Sequence, residues 1–221
     1  MRAVVRTVIA AVVGYLLGTV PSADVAARLA GGPDLRTAGS GNPGAANAAK
    51  VLGPRFGLAV LVVDIAKGAV AAATGRSLGG AARAQVAACA AVIGHCFPAW
   101  SGFRGGKGVA TGVGQVLATF PAYFPIDLAV AVATFVSPAW KRRSFAATTT
   151  ACLAWVASAV LWWRRGWSAG WGQGATASLP IGAAVSSAVI ISRFVAARTP
   201  ETAPSGDGGE QGAEVAGSTS A

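Results

Sequence analysis

The sequence predicts an all-α, polytopic integral membrane helix bundle of about seven spans, with five as the lower count, and with glycine-rich loops on its cytoplasmic side. Three observations lead there. Of 221 residues, 53% are hydrophobic and only 12% charged, about half the ~25% usual in soluble domains. The apolar residues fall in long runs, the whole chain having a mean hydropathy of +0.55, and ~20 consecutive apolar residues suffice to cross a bilayer. Two polar, glycine-rich stretches, 39–47 and 94–108, interrupt those runs.

The first run, Ala3 to Val20, follows Arg2 and Arg6 and is long enough to span. Its basic start and the small residues from Ala23 to Ala27 also fit a signal peptide. Further spans are predicted at roughly 55–74, 82–100, 108–120, 123–139, 145–163 and 177–197. The fourth and fifth segments form one apolar stretch broken by Pro121 and Pro125, and proline removes a helical hydrogen bond. Short or re-entrant segments there bring the count towards five. Trp155, Trp162, Trp163, Trp167 and Trp171 gather beside Arg164 and Arg165 and read as an interfacial aromatic belt. Residues 1–199 make up the membrane domain, while 200–221, rich in Gly, Ser, Thr, Pro and acids, read as a disordered acidic tail.

Four of the eight acids lie in that tail, so the first 199 residues set eighteen Lys and Arg against Asp24, Asp34, Asp64 and Asp127, a balance of +14. Such a surplus suits a lipid bilayer with anionic headgroups or a phosphorylated substrate. With this hydropathy and no aromatic–basic stripe, nucleic acid is not expected as a partner. Cys89, Cys96 and Cys152 are odd in number and form no C-x-x-C, which points to neither a disulfide framework nor a zinc site. With His95 as the one histidine, no metal or other cofactor is expected.

Seven spans put the termini on opposite sides. With the N-terminus outside, the inner segments hold eleven bases: Arg28, Arg36, Lys50, Arg55, Arg104, Lys107, Lys141, Arg142, Arg143, Arg193 and Arg198. The outer ones hold six, Arg2, Arg6, Arg76, Arg83, Arg164 and Arg165, with Lys67 inside a span. The positive-inside rule then favours a cytoplasmic C-terminus, with both glycine-rich stretches on the cytoplasmic face.

In the first stretch, Gly39, Gly41 and Gly44 have no Cβ and can take positive φ, so successive N–H groups can converge on an anion. Ser40, Asn42 and Asn47 add neutral hydrogen-bonding side chains, and Lys50 adds a charge one helical turn later. This fits a phosphate or oxyanion cradle, and equally a tight surface turn whose polar residues cap helices. The second stretch ends in Arg104-Gly105-Gly106-Lys107-Gly108, before an apolar helix starting near Val109. A helix N-terminus with a lysine beside it favours phosphate. A Walker A loop would need Ser or Thr directly after Gly-Lys, where this chain has Gly108. His95 reads as a helix-end hydrogen-bonding residue or as a base that titrates near neutrality. Asp64 and Lys67, three apart on one helix face, read as a mutual pair supporting the site, because lone charges at membrane depth are costly.

Together these stretches resemble the bacterial membrane acyl-phosphate:glycerol-3-phosphate acyltransferase family. Its motifs read G-S-G-N-x-G-A-x-N with a following basic residue, D-x-x-K-G, and G-H-x-F-P leading to G-F-[KR]-G-G-K-G-V-A-T. The chain supplies Gly39 to Asn47 with Lys50, then Asp64, Lys67 and Gly68, then Gly94, His95, Phe97, Pro98 and Gly102 to Thr111. Gly18-Thr19-Val20-Pro21-Ser22 also resembles the lead into the family's first cytoplasmic loop. Lys50 stands where the family usually has Arg, keeping the charge but losing the bidentate fork. Ala46 stands where it often has Thr, and 191–198 contain neither the His nor the Asn of its usual C-terminal segment.

The resemblance implies transfer of a fatty acyl group from acyl phosphate to the 1-hydroxyl of glycerol 3-phosphate, giving lysophosphatidate without a cofactor. It also implies Ser40, His95 and Lys107 as catalytic residues. Gly41, Asn42, Gly44, Asn47, Lys50, Arg104, Gly105, Gly106, Gly108 and Thr111 would then bind substrate, with Asp64 and Lys67 in support. Two rivals fit the same residues: a degenerate homologue that binds or regulates, and a small anion or lipid-phosphate transporter. Against the second, the polar motifs occupy loops and not broken mid-membrane helices.

Overall fold

Helix α1 (Arg2–Gly18) turns Val4, Val5, Val8, Ile9, Val12 and Leu16 outward and buries Ala10, Gly14 and Gly18. Apolar side chains outside with small residues at the helix contact is the pattern a lipid solvent selects. The computed structural model describes residues 1–136, 144–171 and 173–197; the predicted tail at 200–221 lies outside the described residues, as do Lys141, Arg142, Arg143 and Arg198. Helix α1 runs parallel to the second half of α4 (Pro54–Cys96). A Cβ on Gly14 would meet the Ala87 carbonyl and one on Gly18 the Ala91 carbonyl, so the two backbones touch at successive turns.

The 43 residues of α4 are helical on either side of a break and form a hairpin. Gly79 and Gly80 leave helical geometry with φ of 148° and 80°. Ala87 Cβ lies 2.8 Å from where a Cβ of Gly75 would stand, whereas twelve residues of straight helix rise about 18 Å. Arg83 Nη1 donates to the Gly79 carbonyl at 2.9 Å across the turn. The predicted segments 55–74 and 82–100 are therefore two antiparallel arms. Between α1 and α4 lie two short helices, α2 (Ser22–Leu29) and α3 (Ala45–Leu52). Helix α2 has Asp24 in its first turn and Arg28 in its last, each matching the helix dipole.

Helix α5 (Val109–Thr119) runs antiparallel to the first arm of α4, with Gly68 against the Thr111 carbonyl and Gly114 against that of Ile65. Its 11 residues rise only about 16 Å, against a hydrocarbon core of ~30 Å. The chain then turns at Phe120 and Pro121 into α6 (Phe124–Val136), the two helices being bent by 116°. The expectation of two separate full spans at 108–120 and 123–139 gives way to a bent pair, since Pro121 has no N–H with which to extend α5.

Helices α7 (Ser144–Arg165) and α8 (Ser178–Ala196) pack together, with a small antiparallel ribbon of β1 (Ser168–Gly170) and β2 (Gln173–Gly174) between them in sequence. Among the described residues, four helical stretches are long and apolar enough to cross a membrane, or five if the bent pair is one span. With the arms of α4 taken apart, each of the seven predicted segments has a helical counterpart, though not every one crosses alone. Trp163, Trp167 and Trp171 are exposed as a belt requires, but Trp155 is only 5% exposed. Trp162 meets Phe120 edge-on at 5.5 Å. Both belong to a core with Phe120 and Tyr123, because the bend after α5 turns those rings towards α7.

Helices α4, α5 and α8 are joined by a buried polar chain. Gln115 Nε2 donates to Gln85 Oε1 at 2.9 Å, and Ser186 Oγ donates to Gln115 Oε1 at 2.6 Å. Polar groups that satisfy one another across helices fix α8 against the bundle where apolar contacts alone discriminate poorly.

Candidate active site

Both polar stretches meet at one end of the bundle. Trp100 Nε1 donates to the Thr19 carbonyl and Arg36 Nε to the Arg104 carbonyl, each at 3.0 Å. Between them opens a cleft of about 330 Å³, its mouth included, lined by Ser22, Asp24, Arg36, Lys67, His95, Trp100, Gly105 and Gly106 among others.

One carboxylate oxygen organises the cleft. Asp64 Oδ1 accepts from Ser22 Oγ at 2.6 Å and from Lys67 Nζ at 2.7 Å, with His95 Nδ1 at 3.7 Å. Lys67 Nζ also donates to Ser22 Oγ at 3.1 Å, leaving one of its three N–H groups for the cleft. Asp64 and Lys67 are 1% and 6% exposed. The pair expected from their spacing is formed, and each charge is tolerated because the other is there.

The imidazole of His95 is pressed against Gly106, where any Cβ would meet Nε2. The Gly106 N–H donates to the His95 carbonyl and the Gly105 N–H to that of Cys96, each at 3.1 Å. Both glycines line the cleft, but their N–H groups are taken up by the end of α4. In this structure those N–H groups are engaged within the protein, and glycine at 106 makes room for a histidine.

Arg36 grips Asp24 through two bonds of 2.6 and 3.3 Å, and Asp34 through a third of 3.3 Å. The hydrogen bond to Asp24 raises the guanidinium pKa above its ordinary value, outweighing partial burial. Arg36 is thus a permanent cation that braces α2 against both loops.

The stretch 39–47 also turns its donors inward. Gly39 and Gly41 take positive φ, 62° and 72°, but Gly44 is extended at −143° as the N-cap of α3, contrary to expectation. The N–H groups of Ser40, Gly41 and Gly44 donate to Asn47 Oδ1, the Ala38 carbonyl and the Asn42 carbonyl. Asn47 Nδ2 donates to the Leu35 and Ala38 carbonyls at 3.0 and 2.9 Å. Asn47 therefore pins the loop, and its amide has no donor left for substrate. Ser40 is exposed, Asn42 half-buried, and Pro43 is the residue of this stretch that reaches the cleft wall. Lys50 is exposed in the last turn of α3, outside the cleft lining, where a cation suits the helix end.

Lys107 is half-buried, its ammonium 4.3 Å above the Phe194 ring of α8. Burial, and then the field of Arg193, lower its pKa. Arg193 Nη2 and Nε donate to the carbonyls of Gly105 and Gly106 at 2.9 and 3.2 Å, and its guanidinium lies 5.1 Å from the Phe97 ring. Gly108 takes φ 82° as the N-cap of α5 and packs on Cys96 and Val92. Thr111 is fully buried, and its hydroxyl has no hydrogen-bond partner among the described residues. Arg104 is exposed. Among the described residues, no group of three His, Cys, Asp or Glu is arranged as metal ligands would be. Sequence reasoning put Ser22, Arg36 and Arg193 on the cytoplasmic side but gave none of them, nor Asp24, a part in the site. Pro21 before Ser22 signals a helix start, but the two arginines are placed by contacts between loops distant in sequence.

A family model described as glycerol-3-phosphate acyltransferase matches residues 8–201, the cleft included. The chain belongs to the glycerol-3-phosphate acyltransferase family. A glycerol-3-phosphate acyltransferase of Jannaschia sp. (strain CCS1) is 43% identical over 152 residues, covering 68% of this chain and 73% of the relative. One of Synechococcus sp. (strain JA-3-3Ab) is 42% identical over 166 residues, covering 75% and 79%. The crystal structure of PlsY (YgiH), an integral membrane glycerol 3-phosphate acyltransferase, in its glycerol 3-phosphate form matches with a TM-score of 0.72 at 31% identity, covering 86% of this chain and 88% of that one. Its lysophosphatidic acid form matches with a TM-score of 0.67 at 29% identity, covering 85% and 87%. The chain is a multi-pass integral membrane acyltransferase of the PlsY type, an enzyme of phospholipid synthesis that makes lysophosphatidate from glycerol 3-phosphate.

Proposed function

We propose that the acyl donor is acyl phosphate, that the acceptor is the 1-hydroxyl of glycerol 3-phosphate, and that the reaction runs at the cytoplasmic leaflet. The observation that carries this reading is the cleft itself: the two loops close around Lys67 and Arg36, with Lys107 on the adjoining glycine loop. The acceptor oxygen bonds to the acyl carbon, the acyl–phosphate C–O bond breaks, and phosphate leaves with the electron pair and with the hydroxyl proton. A donor with so good a leaving group asks the protein mainly to hold two anions in register and to oppose developing negative charge. Lys107 and Arg104, which pair with no carboxylate among the described residues, serve the donor phosphate. Lys67, with Ser22 beside it, serves the acceptor. Ser40 and Asn42, beside Pro43 of the cleft wall, serve the acceptor from the first loop. His95, wedged between Asp64 and Gly106, supports the loop and takes no proton.

Purified protein in detergent, given acyl phosphate and glycerol 3-phosphate, is expected to release phosphate and lysophosphatidate in equal amounts. Binding without turnover would favour the degenerate homologue. Anion flux into sealed proteoliposomes without acyl transfer would favour the transporter.

Lys50 and Arg36 are expected to separate. Lys50→Ala removes an exposed charge and is expected to change the glycerol 3-phosphate KM by no more than about fivefold, in line with the ~1 kcal/mol ceiling for exposed pairs. Arg36→Ala unties both loops from α2 and is expected to raise both KM values by about tenfold or more, each lost charged hydrogen bond being worth roughly 1.5–3 kcal/mol. A large, acceptor-selective effect at Lys50 would instead put its side chain at the substrate.

The positive-inside count made on the sequence favours a cytoplasmic position for the two polar loops that border this cleft. Because Cys89, Cys96 and Cys152 are all buried, a cysteine introduced at exposed Ala99 reports without background. An impermeant thiol reagent is expected to label it only after the cells are permeabilised. Labelling from outside intact cells would reverse the orientation.

A further inference from the structure

Arg193 lies in the last turn of α8 and, among the described residues, neither lines the cleft nor meets a carboxylate. It reaches across to two consecutive carbonyls, those of Gly105 at 2.9 Å and Gly106 at 3.2 Å, with its guanidinium against the Phe97 ring. Two N–H groups of one planar guanidinium, Nε and Nη2, on two adjacent peptide oxygens make a geometry that a lysine cannot reproduce. The N–H groups of the same two glycines are held by the His95 and Cys96 carbonyls. The loop is therefore gripped on both sides of its backbone, by α4 through N–H and by α8 through C=O. It needs that grip, because Gly102, Phe103 and Gly108 around it take φ of 61°, 62° and 82°, and glycine peptides are the least self-restrained in any chain. The next residue of α8, Phe194, seats the Lys107 ammonium.

We propose that Arg193 is a positioning residue for acyl transfer: it clamps the Gly105 and Gly106 carbonyls so that the loop presents Lys107 to the donor phosphate at a fixed distance. The proposal rests on the reading of Lys107 as the donor-phosphate cation. It also gives a part in the site to a C-terminal segment that has neither His nor Asn at 191–198.

The test compares Arg193→Met and Arg193→Lys with the wild type, all as full chains in detergent, by steady-state kinetics, amide hydrogen exchange over 102–108 and thermal unfolding. Both variants are expected to raise the acyl phosphate KM about tenfold or more and to leave the glycerol 3-phosphate KM within about twofold. Both are expected to speed exchange at Gly105 and Gly106. The alkaline limb of activity separates charge from geometry. Arg193 is the cation of α8 whose field reaches Lys107, while Asp64, Lys67 and His95 of α4 are engaged with one another on the other side of Gly106. Arg193→Met is therefore expected to move the limb to higher pH, and Arg193→Lys to leave it in place. A wild-type acyl phosphate KM in either variant overturns the proposal. So does unchanged exchange at the two glycines, or an equal rise in both KM values with a fall in unfolding temperature. Absence of wild-type turnover would overturn the proposed reaction instead, and the exchange result would still decide whether the clamp exists.

Discussion

Asp64→Ala is expected to cost about 3–5 kcal/mol of stability, the usual price of leaving a buried partner charge unpaired. Asp64 Oδ1 holds the Lys67 ammonium at 2.7 Å and the Ser22 hydroxyl at 2.6 Å, and His95 lies alongside. Removing it strands Lys67 in a helix surrounded by apolar side chains and frees three side chains of the cleft at once. Lys67→Ala should do comparable harm by stranding the carboxylate. Removing both charges together, as Asp64→Leu with Lys67→Met, should recover much of the stability because neither ion is left alone, but not the activity, because Ser22 and His95 lose their anchor. Thermal unfolding of the wild type, the singles and the double closes a mutant cycle. Losses below about 1 kcal/mol in both singles would mean that the pair is solvated like an exposed one, and would remove it from the account of how the cleft is held.

The helices were legible because a bilayer demands long apolar runs, and those runs appear in the sequence whatever the fold. Pro121 and Pro125 mark a break after α5 in the sequence, although only the 116° angle between the two helices shows that the outcome is a bent pair. Trp155 misled, since a tryptophan near basic residues looks the same whether it faces headgroups or Phe120. In the site, the sequence left two readings of 39–47 open, an anion cradle and a tight helix-capping turn, and the N–H groups of Ser40, Gly41 and Gly44 are spent within the loop as such a turn requires. Glycine confers freedom of φ, which suits N–H groups that meet an anion and N–H groups that close a turn alike. Which carbonyl such an N–H finds depends on a partner far along the chain: Cys96 and His95 for the second loop, and Asn47 folding back on Ser40 in the first. The contacts of Arg36 and Arg193 were illegible for the same reason, because a lone arginine carries no local sign of the groups it will reach.

Lys107→Ala is expected to lower kcat/KM for acyl phosphate by roughly 10- to 100-fold, the equivalent of one charged hydrogen bond of about 1.5–3 kcal/mol. The protein should remain inserted and folded, because the side chain contributes one ring contact, with Phe194, and no ion pair among the described residues. The pH dependence gives a sharper reading. Burial, with Arg193 adding to it, holds the Lys107 pKa below the usual lysine value. The charged form does the work in the proposed reaction, so activity is full at neutral pH and is lost as pH rises through the lowered pKa, earlier than an ordinary lysine would allow. Lys107→Arg keeps its charge far above that range and should abolish the alkaline limb, at the expense of a poorer fit in the loop. Acyl phosphate hydrolyses in base, so the limb is measured as initial lysophosphatidate formation. A limb that persists unchanged in Lys107→Arg would belong to another group, and near-wild-type turnover in Lys107→Ala would leave the loop a structural element whose lysine serves only to cover Phe194.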